Sequence, residues 1–121
     1  MNPEEYNKFF RSKTKHMAID IIRMVSKLKY TDATGIIRKQ LIRSSTSVAA
    51  NYRAVCRARS VKERFSKLCI VVEEADEVLF WLEILQETDL ATTEQIRDIR
   101  VNSLEILKVM SAYKHKLKQS F

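Results

Sequence analysis

A single glycine, Gly35, and a single proline, Pro3, leave this chain almost without the residues that punctuate hairpins and loops. That scarcity leaves little punctuation for hairpins, so an all-helical chain is the first reading, and it excludes any glycine-rich phosphate loop. Cysteine is nearly as scarce. Cys56 and Cys69 stand thirteen apart inside helical patterns, which is no zinc spacing, and both read as small hydrophobes in a reducing compartment. Neither has a His, Asp or Glu neighbour at a spacing that would suggest a nucleophile. There is no 18-residue apolar run and no apolar signal region at the start. A soluble, cytoplasmic, single-domain protein over residues 1–121, with no membrane partner, is therefore expected.

Histidine is short as well. The carboxylate-bridged di-iron bundles need Glu-x-x-His on two helices, but three residues before His16 and His115 stand Lys13 and Ala112. No metal, no cofactor and no enzymatic activity are expected.

Basic residues are abundant, with 22 Lys and Arg against 15 Asp and Glu, a formal charge of +7. The excess is uneven. Residues 61–90 carry 3 basic and 8 acidic groups, while residues 31–60 carry 6 basic and 1 acidic. A balance of this kind favours nucleic acid, anionic lipid or an acidic protein as partner, without choosing among them.

Four helices are legible, near 3–29, 36–57, 60–88 and 92–119. Asn2-Pro3-Glu4-Glu5 is a helix start, with a capping side chain, a proline at the first turn and two acids facing the positive end of the dipole. Phe10, Met17, Ile21, Met24 and Leu28 follow at helical spacing, and Thr31 to Gly35 reads as a connection. Ser60-Val61-Lys62-Glu63 and Thr92-Thr93-Glu94-Gln95 are capping boxes. In helix 3, Val61, Phe65, Leu68, Val72, Ala75, Leu79 and Leu82 alternate spacings of four and three. Helix 4 repeats the rhythm with Ile96, Ile99, Ser103, Ile106, Met110, Tyr113 and Leu117. Such seams pack at shallow angles, so an all-α, antiparallel up-down-up-down four-helix bundle with a left-handed twist is predicted.

Helix 2 has two opposed sides. At about 100° per residue, Lys39, Arg43, Arg53 and Arg57 fall within about 40° of one line. Ile37, Leu41, Val48, Tyr52 and Val55 gather around the opposite one. The cationic line, extended by Arg59, is the candidate nucleic-acid-binding surface; a merely solvated helix face is the alternative. Arg43 is the member able to turn aside and pair with an acid such as Asp76. No aromatic residue is interleaved in the stripe, so base stacking on it is not supported.

Helix 3 carries a second apolar stripe, Ile70, Val71, Val78, Trp81 and Leu85, which reads as an oligomer interface, since a helix apolar on both sides is buried on both. Most of the acids from Glu73 to Glu87 read as a solvated face rather than a metal or carboxylate site. Asp76 and Glu83 lie within about 40° of the seam and read as core-edge acids in structural ion pairs, a catalytic role being the alternative. The run Ser44 to Asn51 has few long side chains and reads as a close helix contact, with Ser and Asn able to bond across it. Asn51, at the border of the seam, needs satisfied hydrogen bonds if buried.

Two segments together are recognisable. Gln40 to Arg53, read QLIRSSTSVAANYR, and Lys67 to Leu85, read KLCIVVEEADEVLFWLEIL, resemble the second and third helices of the four-helix-bundle family named for the 23S rRNA intervening-sequence protein. Many members carry an acid after the Asn-Tyr-Arg, where this chain has Ala54. The resemblance implies a small bundle assembling as a homo-oligomeric ring, typically a pentamer. The family's relatives include proteins encoded in insertions within large-subunit rRNA genes. More distantly they include accessory proteins of diversity-generating retroelements, which bind nucleic acid and a reverse transcriptase.

The leading expectation is thus a non-enzymatic, oligomeric protein contacting RNA or DNA phosphates. The alternative is a protein-interaction module or accessory factor docking on an RNA-handling enzyme such as a reverse transcriptase.

Overall fold

The computed structural model covers residues 1–121 and consists of four α-helices: α1 (Pro3–Ser26), α2 (Asp32–Cys56), α3 (Val61–Glu87) and α4 (Thr93–Lys118). Each helix packs against the next, and α1 also meets α4, so the four close around one core without diagonal contacts. The connections are at most five residues long, which makes neighbouring helices antiparallel. No helix is long and apolar enough to cross a membrane.

The caps explain the boundaries. Asn2 accepts from the Glu5 amide at 2.8 Å, and Thr92 and Gln95 exchange both bonds of a capping box. Ser60 accepts from the Glu63 amide, but the Glu63 carboxylate takes the Arg59 amide at 3.3 Å rather than closing the expected box. The start of α2 differs from the expectation. Thr31 and Thr34 form a capping box, with Thr34 N–H to Thr31 Oγ1 at 3.0 Å and Thr31 N–H to Thr34 Oγ1 at 2.7 Å. The helix therefore begins at Asp32, and Gly35 lies inside its first turns rather than in a loop. After α3 the chain reverses through Asp89, whose φ of 58° is a left-handed value that Asp tolerates better than most residues.

The predicted core positions of α1, α2 and α4 are largely as expected: Met17, Ile21, Leu41, Val48, Tyr52, Ile96, Ile106 and Met110 are fully buried. Helix α3 requires a correction. Its buried line is Leu68, Val71, Ala75, Val78, Leu82 and Leu85, so Val71, Val78 and Leu85 belong to the chain's own core and not to an oligomer surface. Val72 and Leu79 are only half-buried. The two stripes were never on opposite sides. At about 100° per residue, Val71, Val78 and Leu85 lie some 40–80° to one side of Ala75, and Val72 and Leu79 some 40–60° to the other. The side facing the bundle interior is the one a single helix cannot reveal. Of the proposed interface only Ile70 and Trp81 stay partly exposed.

Asp76 and Glu83 require a second correction. Both are exposed and neither joins an ion pair, because rotating the seam toward Val71 and Val78 moves them out to solvent. The hydroxyls of the Ser44 to Asn51 run bond along their own helix rather than across a contact. Ser44 Oγ donates to the Gln40 carbonyl at 2.8 Å, and Asn51 Nδ2 donates to the Ser47 carbonyl at 2.9 Å and to Ser47 Oγ at 3.0 Å. Asn51 is half-buried with its amide so satisfied.

Candidate nucleic-acid interface

Lys39, Arg43, Arg53, Arg57 and Arg59 are all exposed, yet they do not form one continuous band. The outward line of α2 is interrupted at its centre by the small residues Thr46 and Ala50. Arg43 also turns away. Its guanidinium donates to the Glu74 carboxylate at 3.1 Å and to Glu77, not to Asp76, and its Nε meets Gln40 at 3.3 Å. Trp81 Nε1–H donates to the same Glu77 at 3.2 Å, so Arg43, Glu74, Glu77 and Trp81 tie α2 to α3. The Arg43 hydrogen bond holds the Glu77 carboxyl below its ordinary range, against the opposing effect of burial. Arg43's charge is thereby compensated by two acids.

Arg53 and Arg57 instead face cations from α1. With Arg11, Ser12, Lys15, His16 and Ile19 they line a groove of about 770 Å³ between α1 and α2. No acidic side chain lines it. His16 is fixed there by an Nδ1–H bond to the Ser12 carbonyl at 2.9 Å. The groove continues along the helix pair as a smaller furrow of about 290 Å³, lined in part by Ala18, Ile19, Thr46, Ala49 and Ala50. Arg11, Lys15 and His16 were missed by a reading confined to α2. On α1 alone they are ordinary exposed polar residues opposite a core stripe, and only the packing of α1 against α2 brings them to Arg53 and Arg57.

Antiparallel packing also polarises the whole molecule. The start of α1, the end of α2, the start of α3 and the end of α4 share one end of the bundle. Dividing the helices near their midpoints assigns residues 1–14, 45–73 and 106–121 to that end, with 13 basic and 4 acidic groups, a net of +9. The remaining residues hold 9 basic and 11 acidic groups, a net of −2. An aromatic cluster lies beneath the cationic end. Tyr6 contacts Tyr113 edge-on at 5.9 Å between centroids, and Phe10 packs against Tyr52 at 6.3 Å. Burial raises all three phenols above their usual range, Tyr52 furthest, and Tyr52 donates to Asn7 at 3.4 Å. No group of three or more His, Cys, Asp or Glu side chains is placed to hold a metal ion.

Fold and surface together define a basic four-helix bundle whose prepared feature is an acid-free cationic groove. The family model of the 23S rRNA-intervening sequence protein matches residues 9–112, and the chain belongs to that family. Among solved structures it is similar to a protein of unknown function from the S23 ribosomal protein family of Bacteroides thetaiotaomicron. The identity is 31%, the TM-score 0.80, and the match covers 90% of this chain and 97% of that one. No functionally curated protein matches the chain.

Proposed function

We propose that this protein is a non-enzymatic nucleic-acid-binding bundle, acting as a homo-oligomer, that holds RNA or DNA phosphates in the α1–α2 groove. The observation that carries this reading is the convergence of four permanent cations, Arg11, Lys15, Arg53 and Arg57, on one groove without an acid. Phosphate contact needs only cations spaced along a backbone, and it carries no base specificity. Lys39 and Arg59 extend the surface at either end of α2. A family named for a 23S rRNA intervening sequence makes RNA the natural first ligand to test.

The homo-oligomer rests on the outer face of α3, where Ile70, Trp81 and Ile84 are half-buried and Phe80 is 50% exposed. A ring, with five copies as the preferred number, would repeat the groove and multiply weak phosphate contacts through effective concentration. The edge-on Phe80–Trp81 pair, 5.0 Å between centroids, also suits a second reading, in which this face docks an RNA-handling enzyme. Co-purification of such a partner that survives nuclease treatment would favour it.

Fluorescence anisotropy of labelled RNA and DNA across a salt series tests the groove. Four phosphate contacts imply a log–log salt slope of about −2.8 to −3.6, a loss of about 50- to 150-fold between 50 and 200 mM salt. The double variant Arg53→Glu/Arg57→Glu should weaken binding to all sequences alike and roughly halve the slope, with helix content unchanged. Equal binding by wild type and double variant would remove the groove from the account.

A further inference from the structure

The α2 stripe contains no aromatic residue, but the fold places one beside it. Tyr30, from the connection between α1 and α2, is 68% exposed although its ring is held in position. Its hydroxyl-bearing edge lies against Gly35, where a Cβ would come within 3.0 Å of Cε2 and 3.2 Å of the phenol oxygen. The only glycine of the chain thus makes room for this ring, in a helix turn where glycine otherwise costs stability. The Arg38 guanidinium sits over the ring, 5.7 Å from its centroid, and its Nε is buried with no acceptor. Arg38 and Lys39 take part in none of the chain's ion pairs. With Asp32 these residues line a hollow of about 360 Å³.

We propose that this hollow is a stacking site for an unpaired base, which makes single-stranded nucleic acid the ligand class of the protein; the proposal rests on the phosphate-binding reading above. Arg38 packs over the Tyr30 ring, which still stays 68% exposed, and a base's flat π-surface stacks on the open part of the ring without regard to sequence. The Asp32 carboxylate repels a phosphate and accepts from the ring N–H and amino donors of a base, so the base enters and its phosphates meet Arg38 and Lys39. A duplex has no unstacked base to offer, and it engages only the cationic groove. Along α2, Lys39 and Arg53 are about 21 Å apart, the span a strand bridging both sites covers.

The test uses a single-stranded RNA carrying 2-aminopurine, whose emission is quenched on stacking, and the matching duplex. Wild type should quench the probe on binding. Tyr30→Ala and Tyr30→Leu, the second keeping bulk against Gly35, should weaken single-strand binding about 5- to 150-fold and abolish the quench, with duplex binding unchanged. Tyr30→Phe should behave as wild type. Unchanged single-strand affinity and quenching in Tyr30→Ala overturns the site and leaves the groove standing, as does an equal loss on the duplex. Loss in Tyr30→Ala together with no effect of Arg53→Glu/Arg57→Glu supports the stacking site and overturns the groove. A wild type that binds neither probe overturns both.

Discussion

Replacing Leu85 by alanine separates the two roles that the apolar surface of α3 could have. Leu85 is fully buried within the chain's own core, alongside Leu82 and Val78. Truncating such a residue removes its transfer free energy and leaves a cavity, at a cost of about 2–5 kcal/mol. Unfolding entropy of about 2.1 cal/mol/K per residue gives roughly 0.25 kcal/mol/K for a chain of this length. The midpoint of thermal unfolding should therefore fall by about 8–20 °C. Differential scanning calorimetry measures the shift, and light scattering on the same sample below the transition measures the mass. A mutant that melts like wild type but sheds mass would show that Leu85 lies between copies, and would refute the placement of the α3 seam.

The converse holds for Trp81→Ala, which should shift the light-scattering mass toward monomer; a wild type already monomeric would refute the oligomer. Glu77→Gln removes a carboxyl held low by Arg43, a stabilisation present above the unfolded pKa and lost as pH falls through the depressed folded value. At neutral pH the mutant should be less stable by about 0.2–1 kcal/mol, and urea titrations should show that gap closing in acid; a gap independent of pH would mean that it does not come from the ionised carboxyl. Asp76→Ala and Glu83→Ala should each lie within about 0.5 kcal/mol of wild type, since both side chains are solvated; a loss of about 3 kcal/mol would restore a buried pair.

What the sequence by itself determined is local and periodic. The caps at Asn2, Ser60 and Thr92 and the three-four spacing of apolar residues depend on neighbours within a turn or two, so they were legible from the chain alone, as were four helices, their order and the core of α1, α2 and α4. The start of α2 was not legible in this way, because the only glycine reads as a loop signal although it lies inside the helix and makes room for Tyr30. What only the tertiary structure decided depends on how helices rotate about their axes and which ends come together. That rotation put Val71, Val78 and Leu85 inside and Asp76 and Glu83 outside, because an α3 apolar on adjoining sides has no unique inward direction until α2 and α4 supply one. It paired Arg43 with Glu74 and Glu77 rather than Asp76. It also brought Arg11, Lys15 and His16 to Arg53 and Arg57, residues about 40 apart in the chain, and set Tyr30 beside Arg38 and Lys39. Periodicity reports one helix at a time, whereas a site between helices is made by their contact.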